Sequence, residues 1–144
     1  MKIFIDSTGW LNMIDPDMPE HRTFQKEFKE FLDEGHSFYT TNVILGEAIS
    51  EIKKRMGAQK ADEVYSVVEE SWLGTHLHIL WIGRRTFRDA VRLFRRFPNE
   101  NLSVFEAANV ILMNRRNIRF IMTTQTVYSK MGFKLVPDTE AETE

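Results

Sequence analysis

The 144 residues, 42% hydrophobic and 28% charged, are enough for one compact domain that buries about two thirds of its unfolded surface. The absence of cysteine excludes disulfide staples, thiolate zinc sites and cysteine nucleophiles, so a bound metal has to be held by oxygen. Acidic residues number 21 against 19 basic ones, so net charge offers no general attraction to nucleic acid and any phosphate contact must come from local clusters.

No charged-then-apolar leader precedes Ile3. No apolar run approaches the ~20 residues needed to span a bilayer, and the expectation is a soluble, cytoplasmic protein.

Lys2-Ile3-Phe4-Ile5 reads as a short buried strand that runs into Asp6-Ser7-Thr8, where a helix should open. Trp10, Leu11, Met13 and Ile14 follow, with more apolar surface than a short helix needs. Phe24, Phe28 and Phe31 recur at helical spacing among Gln25, Lys26, Glu27, Lys29 and Glu30, which predicts an amphipathic helix over 20–32 that ends before Gly35. Residues 37–40 are β-prone. Thr41 or Asn42 then offers an N-cap for a helix that buries Leu45, Ile49, Ile52 and Met56 and stops at Gly57.

A further helix is predicted over 58–72 and a strand over 77–82. The next helix, 84–97, places Phe87, Ala90, Val91 and Phe94 on one side and Arg85, Arg88, Arg92 and Arg95 on the other. Pro98-Asn99-Glu100-Asn101 breaks that pattern. A helix over 103–116, apolar on nearly every side, leads to a strand over 119–123, a polar turn and a closing strand over 133–136. Strands alternating with helices argue for an α/β fold around a mostly parallel sheet, and the acidic stretch 138–144 lacks apolar anchors and is expected to be disordered.

Three acids stand out because they sit at the edges of apolar segments. Asp6 follows a strand, where an aspartate commonly caps the next helix, but it also lies at the sheet edge where α/β proteins bind ligands. Glu47 falls in the early turns of its helix, where the helix dipole favours a carboxylate. Ser103-Val104-Phe105-Glu106 has the spacing of a capping box, which accounts for the position of Glu106 but not for the apolar helix around it. The use that joins all three is to hold a divalent cation. Where a fourth acid would complete the set, the sequence has Thr124-Gln125. His21, His36, His76 and His78 show no metal-ligand spacing.

Four segments together resemble the PIN domain, the fold of VapC-type toxin ribonucleases, across residues 2–137: Phe4-Ile5-Asp6-Ser7-Thr8; Thr41-Asn42-Val43-Ile44-Leu45-Gly46-Glu47; Leu102-Ser103-Val104-Phe105-Glu106-Ala107; and Thr123-Thr124-Gln125 with Gly132-Phe133-Lys134-Leu135-Val136-Pro137. The resemblance implies a PIN-like three-layer α/β/α fold over 1–137 with a mostly parallel central sheet. It makes Asp6, Glu47 and Glu106 the catalytic residues and the ligands of Mg²⁺ or Mn²⁺, with Glu106 where the family usually has aspartate. Thr8, Asn99, Thr124 and Gln125 would line the site, Gln125 standing in place of a usual aspartate and Asn99 at a loop position that is often acidic.

The activity implied is hydrolysis of RNA phosphodiester bonds by the toxin of a toxin and antitoxin pair, with an RNA substrate, an antitoxin protein partner and a homodimer. Arg85, Arg88 and Arg92 would hold RNA phosphates. A second reading, motivated by Gln125 and Asn99, is a PIN-fold module that binds RNA or a protein without cutting. A third, an aspartate-nucleophile phosphatase using Asp6, is weakened by Thr8, which stands where that chemistry wants a second aspartate.

Overall fold

The computed structural model describes residues 1–138. The acidic stretch expected to be disordered falls, from residue 139 on, outside the described residues. Five strands, β1 (Lys2–Ile5), β2 (Ser37–Thr41), β3 (Leu77–Leu80), β4 (Phe120–Met122) and β5 (Lys134–Val136), form one sheet in the order β3-β2-β1-β4-β5. Every pairing is parallel. Ile3, Phe4 and Ile5 are all fully buried with no alternation, as expected for the central strand of a parallel sheet covered on both faces.

Helices α1 (Ser7–Ile14), α2 (His21–Asp33), α3 (Asn42–Met56), α4 (Ala58–Leu73), α5 (Arg84–Arg96), α6 (Val104–Arg115) and α7 (Val127–Lys130) complete the domain. Chain order runs outward from β1 to β3 on one side, then returns to β4 and β5 on the other. The strand order therefore reverses between β1 and β4. At their carboxyl ends lies the crevice in which open α/β sheets bind ligands.

Local chemistry explains most element ends. Thr41 caps α3 by accepting the Ile44 amide at 3.0 Å, and Gly57, at φ +94°, ends that helix in a conformation only glycine adopts readily. Among the described residues no helix is long and apolar enough to cross a membrane.

Three sequence expectations are corrected. The predicted strand 77–82 ends at Leu80, because the Ile82 amide leaves the ladder to donate to Asn42 Oδ1 at 3.1 Å. The polar turn after β4 contains α7, whose Val127 and Tyr128 are buried. In α5 the buried residues are Thr86, Ala90 and Leu93, while Phe87 and Phe94 remain 47% and 41% exposed. That face is set by α6: Arg115 reaches across to Thr86 Oγ1 at 2.9 Å and to the Asp89 carboxylate, which turns the two phenylalanines outward.

Candidate active site

Asp6 leaves β1 with extended backbone and becomes the N-cap of α1, its Oδ1 accepting the Gly9 amide at 2.9 Å. The capping role foreseen for an isolated aspartate is therefore filled, but it uses only part of the carboxylate. Thr8 Oγ1 also donates to Oδ1 at 2.8 Å, and Thr123 Oγ1 donates to Oδ2. The amides of Thr124 and Gln125 donate in turn to the Thr8 and Thr123 hydroxyls, each at 2.9 Å, which leaves both hydroxyl protons free to face Asp6. Even so, burial pushes the Asp6 carboxyl from 3.8 up to about 6; its three hydrogen bonds oppose that rise, and the negative Glu106 adds to it.

Glu47 stands one turn into α3, on its exposed side, and its pKa is raised by partial burial and by Glu106. Glu106 opens α6 in the capping box read from the sequence: its Oε1 accepts the Ser103 amide at 2.8 Å, while Ser103 Oγ accepts the Glu106 amide at 3.1 Å. All three acids line one cavity of about 260 Å³, together with Gln125, Asn109 and Tyr128. They share a hollow without forming a preassembled chelate, since among the described residues no three acidic or imidazole groups converge tightly enough to grip an ion.

The remaining predicted positions divide. Thr8 belongs to the Asp6 network and Gln125 to the cavity wall. Thr124 touches the network only through its backbone amide; the residue itself borders a neighbouring hollow with Thr126 and Ser129. Asn99 is exposed in the turn after α5 and does not line the cavity. The two differences have separate causes: β4 ends at Met122, so Thr123 is the residue that meets Asp6, and the break at Pro98 carries Asn99 outward before Ser103 turns the chain back.

Thr123, Asn109 and Tyr128 were not foreseen. Asn109 had a signal, a polar residue one turn after Glu106 in an apolar helix, whereas Tyr128 was hidden in the segment read as a turn. Arg85 and Arg88 are exposed on α5, and Arg92 lies 3.8 Å from Asp89. That helix starts two residues after Ile82, which lines the cavity, and its Phe87 meets the cavity residue Phe105 at a ring separation of 6.2 Å. The start of α5 thus lies near the rim, while none of the three arginines lines the cavity itself.

The layers, strand order and switch-point crevice define a PIN-like α/β/α fold, as the resemblance implied. The crystal structure of Mycobacterium tuberculosis VapC20, a Sarcin-Ricin loop cleaving toxin, is similar over 92% of this chain and 96% of that one, with a TM-score of 0.77 and 19% sequence identity. No family model matches the sequence, and no curated protein matches it.

Proposed function

We propose that the protein is a metal-dependent endoribonuclease of the PIN type, acting in the cytoplasm as the toxin of a toxin and antitoxin pair. The observation that carries this reading is the convergence of Asp6, Glu47 and Glu106, from the ends of β1, α3 and α6, on one crevice at the switch point of the sheet. The likeness to VapC20 supports it.

The residues suit a hard divalent cation. The donors are oxygens, the wall carries three carboxylates whose mutual repulsion a cation would relieve, and Asn109 Oδ1 is buried there with no hydrogen-bond partner. Asp6, Glu47 and Glu106 would hold Mg²⁺ or Mn²⁺, the flexible glutamates swinging toward the fixed Asp6. When bound, the ion supplies polarisation of a phosphoryl oxygen and a more acidic water. The chain itself orients the Asp6 carboxylate through Thr8, Thr123 and Gly9, while Arg85, Arg88 and Arg92 attract the phosphates on either side of the scissile bond.

Neutral Gln125 at the wall favours a second reading, an RNA- or protein-binding module without turnover. Cleavage of RNA, with the sarcin-ricin loop among the substrates, separates the two. Products are expected with Mg²⁺ or Mn²⁺ and none after chelation. Cleavage indifferent to chelator sinks the first reading, and silence combined with absent Mn²⁺ binding leaves the second.

Two surfaces fit the partners. A groove of about 870 Å³ runs between α1, α2 and α4, lined by Trp10, Met13, Ile14, Phe28, Val64 and Val67, and suits an apolar antitoxin segment. Trp81, Phe87 and Phe94, all exposed, offer apolar surface suited to a second copy of the chain. Sedimentation of the purified protein should return a dimer mass; a monomer at every concentration removes the homodimer.

A further inference from the structure

Asn109 is out of place in its helix. Its neighbours Ala107, Ala108, Val110, Leu112 and Met113 are buried and apolar, and Asn109 itself is only 4% exposed. Its Nδ2 donates to the Tyr128 phenol oxygen at 3.0 Å, which leaves Oδ1 as the other end of the amide. That oxygen has no hydrogen-bond partner, and among the described residues it is the only buried side-chain nitrogen or oxygen without one. A buried acceptor left unpaired costs about 1–3 kcal/mol. The bond to the buried Tyr128 phenol accounts for the amide nitrogen but gives no reason for Oδ1.

The surroundings give one. Asn109 follows Glu106 by three residues, so both lie on the same face of α6, and both line the cavity with Asp6 and Glu47. Tyr128, fully buried at the same cavity, remains a neutral phenol because burial and the nearby Asp6 hold its pKa well above the ordinary value. Its oxygen takes one end of the amide and leaves the other uncommitted. Across the cavity, Gln125 brings no charge where a fourth acid would sit. Amide carbonyl oxygens are ordinary ligands of hard cations.

We infer that Asn109 supplies a neutral oxygen ligand to the cation held by Asp6, Glu47 and Glu106, with Tyr128 as the positioning residue that fixes which end of the amide faces the ion. The inference rests on the metal-dependent reading above. It assigns α6 two ligands one turn apart and gives this chain a fourth oxygen from a helix rather than from the loop after β4.

Mn²⁺ binding to the full chain, measured by calorimetry and by the Mn²⁺-induced rise in melting temperature, tests it without recourse to activity. Asn109→Ala adds no bulk to the cavity and should weaken Mn²⁺ binding by about tenfold or more. Asn109→Asp should tighten it, and Tyr128→Phe, which frees the amide to turn, should weaken it by less than the alanine change. Asn109→Ala binding Mn²⁺ as tightly as the parent overturns the assignment, since an amide presenting its NH₂ to the acids would give that result. Should the alanine variant fail to fold, weaker Mn²⁺ binding by Asn109→Asp overturns it equally. Asp6→Asn separates the two levels: if the parent binds Mn²⁺ and Asp6→Asn does not, a null result at Asn109 removes this inference alone, whereas a parent that binds no Mn²⁺ removes the metal reading and this inference with it.

Discussion

Asp6→Asn is expected to silence RNA cleavage and, in the same protein, to raise the melting temperature at pH 7 in the absence of metal. The two effects share a cause. Asp6 is almost completely buried, and its carboxyl is lifted from 3.8 to about 6, so the folded state binds a proton more readily than the unfolded state. A raised carboxyl pKa means that stability falls as pH rises from about 4 to about 6 and stays lower above that window.

A shift of this size corresponds to about 3 kcal/mol at neutral pH, which the neutral amide avoids. Asparagine keeps the capping geometry, since its side-chain oxygen can still accept the Gly9 amide. The loss of charge removes the anchor of the proposed cation. With several kcal/mol of transition-state stabilisation gone, the rate should drop at least about a hundredfold. Thermal melts between pH 4 and pH 8 check the stability half: the parent should lose stability through the window, and the difference from Asp6→Asn should open there and hold constant above it. An Asp6→Asn protein that melts below the parent at pH 7 contradicts the claim that burial of this charge outweighs its three hydrogen bonds. Saturating Mn²⁺ should reverse the order, because a ligand stabilises only the state that binds it.

That a carboxylate sits where it weakens the empty fold also explains why the sequence pointed to it. Asp6, Glu47 and Glu106 are conspicuous because each interrupts an apolar segment, and a charge in such a place needs a reason beyond solubility. The parallel sheet was equally readable, since Ile3, Phe4 and Ile5 show the unbroken burial of a central strand and Thr41, Gly57 and Ser103 carry the punctuation of helix ends. What escaped was set by tertiary contacts. The inward face of α5 depends on Arg115 reaching Thr86 and Asp89 from another helix, and no periodicity within 84–97 contains that information. Thr123 rather than Thr124 meets Asp6 because β4 stops at Met122, and adjacent threonines look alike until the strand end is known. Tyr128 lies in a helix of four residues, too short to leave a pattern.

Among the glycines, Gly9 should be the one where an added methyl does the most damage. A Cβ on Gly9 would stand 2.3 Å from the carbonyl oxygen of Met122 and 3.0 Å from Ile5 Cγ2. Neither neighbour can yield cheaply. Met122 pairs with Ile5 on one side and Val136 on the other, and its carbonyl accepts the Asp6 amide at 3.3 Å. The first turn of α1 would have to lift off the sheet, drawing Thr8 away from Asp6 and lengthening the bond from the Gly9 amide.

Alanine contributes about 1 kcal/mol of helix propensity over glycine, while overpacking against a fixed backbone costs about 1–3 kcal/mol and more where nothing relaxes. We expect a net loss of about 2 kcal/mol or more in chemical denaturation, together with loss of Mn²⁺ binding in whatever fraction stays folded. Gly46→Ala supplies the contrast, because no atom lies within 4 Å of its added Cβ and it sits inside α3, so that variant should gain up to about 1 kcal/mol. Equal stability of the two variants would mean that α1 does not press on β4 at Met122. The hydroxyls of Thr8 and Thr123 would then lose the close approach that brings them both onto Asp6.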